Sequence, residues 1–406
     1  MNLDHEAMKN DWLKIRKSLL HHHSTTNLNF GSFGIIPRQV WEEVTDFRAN
    51  LSSQPMNFYL RQFPKLLKSA RNALANHIDA TFKNTVFFQN VSVALNMVAN
   101  SIKLSPGEIV LMTNLEYEPM KTMWQRVCQK QGAKIQIVRL ANQSASTKEI
   151  IESFDNCIGK QTKVLFVSHV CSPTGMVLPV REICKLAAAR NTITVIDGAH
   201  APGCLNLSVN SISADYYAGN LHKWLGCPLG SAFLACTGNA LSILDPYVVS
   251  WGYKSKIDPS DDAEDEFGTT PNIRRLEFTG TIDPCPWLTL PTAINFRQTI
   301  GLNSILSRQS SLCDFTRKLL SEFRWLNLVT PTSHDASCSM VAYQIGISIS
   351  LAEMRNFLWE NHSIEIGLNQ HPDLGLIMRV SCHYSTLESE IQHLAEALRD
   401  LENRMG

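Results

Sequence analysis

KVLFVSHVCSPTGMVLPVREICKLAAARNTITVID, Lys163–Asp197, is the stretch whose reading decides the fold. KVLFVSHV and TITVID are short apolar runs of strand type, and PVREICKLAAARN between them reads as a helix. The same alternation extends outward. NTVFFQ (84–89) is β-rich, and in VSVALNMVANSI (91–102) Val91, Leu95, Val98 and Ile102 fall at helical spacing. GEIVLMTN reads as a strand, PMKTMWQRVCQKQG as a helix ended by glycine, and KIQIVRL as a further strand. Strands alternating with helices predict a mainly parallel sheet with helices on both faces. Ligands of such sheets bind beyond the carboxyl ends of the strands, so the residues just after each strand are where chemistry is expected.

Composition excludes several classes. The chain has 406 residues, 44% apolar and 18% charged, which suits a well-buried globular enzyme and not a disordered chain. Lys plus Arg equals Asp plus Glu at 37 each, so no basic surplus points to nucleic acid or to an anionic membrane. Eleven cysteines are scattered without a C-x-x-C pair, the pattern of reduced cytoplasmic thiols. MNLDHEAMKNDWLKIRKSLL lacks the apolar block of a leader, and no run approaches the ~20 apolar residues of a membrane span.

The last hundred residues read differently. SMVAYQIGIS is strand-like and SLAEMRNFLWENH helical. STLESEIQHLAEALRDLENRMG is expected to open with a capping box from Ser385 to Glu388 and to bury Leu387, Ile391, Leu394, Leu398 and Leu401. The expected organisation is an N-terminal arm over 1–32, a large domain over 33–288 and a small α+β domain over 289–406, with the acidic stretch at 258–270 as a loop.

At the strand ends stand residues that could carry chemistry. Asp197 closes TITVID, with His200 just after it in DGAHAPG. Lys223 lies beyond ADYYAG, between His222 and Trp224, where an ordinary surface lysine would have polar neighbours. Asn90 and Ser92 stand at a helix N-terminus, where backbone N–H groups and a hydroxyl form an anion site. Each also has a structural explanation: a snorkelling lysine, a solvated strand end, an N-cap. Together they meet the needs of pyridoxal 5′-phosphate (PLP): a lysine to bond its aldehyde, an acid to hold its pyridinium N–H and a helix terminus for its phosphate. His21–His23 read as a solvated tail and not a metal site. LGCPLG lacks the context of a dinucleotide loop. Cys171 and Cys382 read as packing.

LNFGSFG (28–34), NVSVALN (90–96), LEYEPM (115–120), SHVCSPTGMVLPV (168–180), DGAHAPG (197–203), ADYYAGNLHKW (214–224) and FTGTIDP (278–284) resemble, in order, the fold-type I PLP enzymes of the class V aminotransferase family. Within that family they are most similar to the isopenicillin N epimerase-like and cysteine C–S lyase-like branch. The resemblance implies the α/β PLP-transferase fold, aspartate aminotransferase-like, with a smaller C-terminal domain. It implies Lys223 as the Schiff-base lysine, Asp197 as partner of the ring nitrogen and His200 beside the ring hydroxyl. It implies Asn90, Ser92, Asn220 and His222 around the phosphate, and Tyr117 as the stacking aromatic. Arg379, with Asn29 and Ser172, would hold the substrate, Arg379 through its carboxylate. Thr281 would reach the cofactor of the other subunit in a homodimer. Phe30 stands where a histidine is common, and Ile282 where an arginine is. The implied reaction begins with loss of the Cα proton of an amino acid. The leading expectation is a C–S lyase, the alternatives epimerisation or another PLP-dependent transformation, and a remoter one a catalytically silent binding homologue. Related persulfide-forming desulfurases carry a cysteine on a mobile loop before the arginine. Ser363–Arg379 contains none, so that activity is not expected.

Overall fold

The computed structural model describes residues 11–22, 24–140, 146–253 and 263–405. Its strands are β1 (Thr26–Leu28), β2 (Thr85–Phe88), β3 (Ile109–Thr113), β4 (Lys134–Val138), β5 (Thr162–Ser168), β6 (Ile193–Asp197), β7 (Tyr216–Asn220), β8 (Ala232–Cys236), β9 (Leu326–Leu328), β10 (Met340–Ile345), β11 (Ile364–His371) and β12 (Gly375–Ser381). Seven of them form one sheet in the order β2-β8-β7-β6-β5-β3-β4. β8 runs antiparallel to both neighbours, and the other pairs are parallel. Val164–Ser168 and Thr194–Asp197 are buried without interruption, as strands covered on both faces must be. The covering helices include Val91–Ser101 and Glu118–Gln131 with one core cluster, and Phe63–His77 and Val180–Ala188 with another. β5 and β6 end level, Ser168 opposite Asp197, and Asp197 lies opposite Ala218 of β7. That register brings three strand ends to one edge of the sheet.

The second sheet has the order β1-β11-β12-β10-β9. β1, from the N-terminal segment, joins it in parallel with β11, Thr26 opposite Ile364. The stretch matching the mobile loop of desulfurases is therefore a hairpin here, β11 and β12 in continuous antiparallel register from Gly367↔Arg379 to His371↔Gly375.

One element starts later than the sequence suggests. The C-terminal helix begins at Glu388, and Ser385 does not cap it. Ser385 Oγ bonds instead with His383 Nδ1 at 2.7 Å and His21 Nε2 at 3.1 Å, and Glu390 accepts the Leu387 N–H at 2.9 Å. Ile391, Leu394, Leu398 and Leu401 are buried as expected, while Leu387, before the helix, is only partly so. Residues 258–262 of the acidic stretch at 258–270 lie outside the described residues. In its described part, Asp265 accepts from the Phe267 and Thr269 N–H groups and closes a turn.

Candidate active site

A cavity of about 540 Å³ opens at the level strand ends. Asn90, Ser92, Tyr117, Ser172, Asp197, His200, Asn220, His222, Lys223 and Arg379 all line it. Asn29 lines an adjoining cavity of about 270 Å³, which shares Ser32, Tyr117, Ser172 and Arg379 with the first. Thr281 lies elsewhere, exposed in a recess with Met56, Leu60, Trp251 and Phe278. Among the described residues no cluster of His, Cys, Asp or Glu is arranged to hold a metal ion. His21 is taken up by Ser385, and His23 lies outside the described residues.

Lys223 sits in the turn between β7 and β8, and its Nζ lies 3.1 Å from His200 Nε2. Burial pushes its pKa down to about 7; Arg379 adds to the shift and Asp197 opposes it. A lysine that loses its proton near neutrality is a nucleophile and a base, unlike one on a surface. The turn is held from outside by Gly34 of the LNFGSFG motif, whose N–H donates to His222 O at 3.0 Å. A Cβ on Gly34 would lie 1.6 Å from the Lys223 carbonyl oxygen, so only glycine fits.

Asp197 is 5% exposed. Its Oδ1 accepts from the Ala199 N–H at 2.9 Å. Burial raises its pKa, with that hydrogen bond and Lys223 pulling the other way. A carboxylate so placed favours a cationic N–H as partner. Gly198 follows because Tyr217 lies against it: a Cβ there would meet the ring at 2.4 Å. His200 is buried, and burial, then Lys223 and Arg379, hold its imidazole well below the usual range. Its Nδ1 accepts from the Trp224 indole N–H at 3.4 Å.

The helix Val91–Ser101 points its N-terminus at the cavity. Asn90 Oδ1 caps it by accepting the Val93 N–H at 3.0 Å, and Asn220 Oδ1 takes the Val91 N–H at 3.0 Å. The Ala94 N–H goes to Asn90 O. Among the described residues the Ser92 N–H in that turn has no protein partner, and it stands beside the Ser92 hydroxyl. An N–H and O–H at a helix N-terminus are donors for an anion.

Arg379, on β12, is buried. Its Nη1 donates to Ser172 O at 2.6 Å and to Ser172 Oγ at 3.0 Å, while its Nε has no partner among the described residues. Tyr117 is 47% exposed at the mouth shared by both cavities. Phe30 does not line either cavity; it is buried against His383 with ring centroids 4.8 Å apart.

Glu116 was not anticipated. It is buried, and its carboxylate accepts from Thr113 Oγ1 at 2.6 Å, the Ser168 N–H at 2.9 Å and Ser168 Oγ at 2.5 Å. It ties the ends of β3 and β5 together, one residue before Tyr117. Burial pushes its pKa up to about 7 against those hydrogen bonds. The available signal is an acid directly after the apolar run GEIVLMTNL, at the carboxyl end of a strand.

The residues present fit PLP. A buried acid, a lysine with a depressed pKa and a helix N-terminus with donors for an anion converge on one cavity in an α/β fold whose strand ends face it. That is the arrangement of a PLP-dependent enzyme of fold type I. The chain belongs to the aminotransferase class-V family, whose model matches residues 34–394, and PLP is its cofactor. It is 41% identical to the isopenicillin N epimerase of Streptomyces clavuligerus, over 96% of this chain and 98% of that protein. It is 39% identical to the isopenicillin N epimerase of Amycolatopsis lactamdurans, with the same coverage. An L-cysteine desulfhydrase of Arabidopsis thaliana is 25% identical over 94% of this chain and 89% of that protein. Among solved structures, a complex of the cystine C–S lyase C-DES superposes with a TM-score of 0.81 at 23% identity, covering 93% of this chain and 98% of that one. The Escherichia coli cysteine desulfurase CsdA gives a TM-score of 0.81 at 18% identity, covering 97% and 98%. These two likenesses establish the fold. The family and its relatives make the chain a PLP-dependent lyase or epimerase.

Proposed function

We propose that this enzyme takes the Cα proton from an amino-acid substrate, with Lys223 as the base, and then expels a β-sulfur substituent as a C–S lyase. The observation that carries it is Lys223 Nζ in the cavity, 3.1 Å from His200 Nε2, with its pKa lowered to about 7. Lys223 would anchor the cofactor, Asp197 would hold its ring N–H, and Ser92, Asn220 and His222 its phosphate. His200 would lie beside its ring hydroxyl and Tyr117 against its face. PLP supplies a sink for the electron pair left when the proton departs. Arg379 would pair with the substrate carboxylate, exchanging its bonds to Ser172 for a bidentate partner, and Asn29 and Ser172 would shape that end. β-Elimination needs a base on one side only, and Lys223 supplies it.

A second outcome, epimerisation, is favoured by two observations. The 41% and 39% identities are to epimerases, against 25% for the desulfhydrase. The adjoining cavity also gives room for a substrate larger than cysteine. Epimerisation needs an acid to return a proton to the other side of Cα, and the Tyr117 hydroxyl is the candidate. One experiment separates the outcomes. Amino acids and S-substituted cysteines are incubated with the holoenzyme in D₂O and followed by NMR and chiral chromatography. Thiol, keto acid and ammonia mark the lyase; deuterium at Cα with inverted configuration marks the epimerase. No exchange with any substrate overturns the shared first step.

The enzyme is further proposed to act as a homodimer. Thr281 lies outside its own chain's cavity, in a recess of about 770 Å³ whose lining is mostly apolar and includes Trp251, 97% exposed. A second copy would cover that recess and receive Thr281 at its phosphate site.

A further inference from the structure

We propose that Trp224 is a positioning residue that sets the tautomer of His200 and, through it, the protonation of Lys223. The inference is carried by a chain of three side chains. The Trp224 indole N–H donates to His200 Nδ1 at 3.4 Å, and His200 Nε2 lies 3.1 Å from Lys223 Nζ. An indole nitrogen is a donor only. Nδ1 is therefore the acceptor, and the ring's one proton is on Nε2, directed at Lys223. An N–H facing an ammonium repels it, whereas it donates to a neutral amine. The indole thus biases Lys223 toward the free base that the proposed function requires of it.

Trp224 is well held for this. It is buried and stacks on His383 at 6.3 Å between centroids, tilted 22°. Its carbonyl accepts from Arg297 Nη1 at 2.7 Å. The charged and titratable groups acting on Lys223 and His200 are Asp197 from β6, Arg379 from β12 and His222 from the same turn as Lys223. Arg297 also acts on His383. All of them remain when the indole N–H alone is removed. Without it, His200 can move its proton to Nδ1 and turn a lone pair on Lys223. That lone pair accepts from an ammonium, so the lysine should gain basicity.

The test replaces Trp224 by phenylalanine and, in a second protein, by benzothienylalanine. The latter keeps the bicyclic shape and lacks the N–H, so it serves even if Trp224→Phe folds poorly. Histidine-¹⁵N spectra of the full-length chain, with and without PLP, report the tautomer; His200→Gln assigns the signal. The pH dependence of Lys223 modification by trinitrobenzenesulfonate in the PLP-free chain reports its basicity, independent of turnover. The expected result is a protonated Nε2 in the parent. In both variants the proton is shared between the nitrogens or moved to Nδ1, and the midpoint for Lys223 rises by about one pH unit. A parent protonated on Nδ1, or a midpoint unchanged in the benzothienylalanine protein, overturns the proposal. The proposed function is judged separately, by Cα exchange.

Discussion

In the proposed function Lys223 and Asp197 would divide the chemistry between them, and each makes a distinct prediction. Asp197→Asn keeps a side chain of the same size but loses the charge that favours a cationic ring N–H. PLP should stay bound while turnover falls on the order of a thousandfold, a barrier rise of about 4 kcal/mol. Stopped-flow rates beside the cofactor absorbance check this, and near-parental turnover would remove Asp197 from its role. The lowered lysine pKa has a pH signature of its own. Protonated Lys223 is inert as a nucleophile, so recombination of the PLP-free chain with PLP should be slow in acid and rise with pH through about 7. A rise centred near 10 would show an ordinary exposed lysine.

At the scale of elements, the order of strands and helices was legible because parallel strands buried on both faces leave continuous apolar runs. Asp197 and Lys223 were legible because charge at the end of such a run is conspicuous. The glycines were readable only as motif letters. The structure gives Gly34 its reason, a carbonyl oxygen where a Cβ would lie. Gly34→Ala should therefore displace the Lys223 turn and cut PLP affinity at least tenfold, as read by spectral titration. What stayed hidden depends on long-range pairing. Ser385 looked like a cap, but its hydroxyl is taken by histidines distant in sequence or in the adjoining turn. Arg71 and Glu277 gave no signal, since neither lies in a pattern. In the fold they form a buried pair at 2.6 Å that joins the helices Phe63–His77 and Pro271–Glu277. Glu277 also accepts the Phe87 N–H of β2 at 2.8 Å. Glu277→Ala leaves Arg71 charged and buried, and should cost about 3–5 kcal/mol in denaturant unfolding. The hairpin of β11 and β12 makes another prediction. It has no cysteine to take sulfur, so mass spectrometry after incubation with cysteine should find no stoichiometric protein persulfide.

For the whole molecule, the larger sheet and the smaller one, which the N-terminal strand joins, both contribute to the cavity, and Thr281 lies outside it. If Thr281 serves a second copy, association and activity are linked. Trp251→Glu, at the rim of the apolar recess, should give monomers by sedimentation and lose activity with them; an active monomer would end that proposal. The central claim is that one lysine both carries the cofactor and takes the proton. Borohydride reduction of the holoenzyme followed by peptide mapping tests it most directly. A pyridoxyl group should be found on Lys223 alone and be absent from Lys223→Ala, which should also lose Cα deuterium exchange. A reduced adduct on a different lysine, or exchange that survives in Lys223→Ala, would contradict the account.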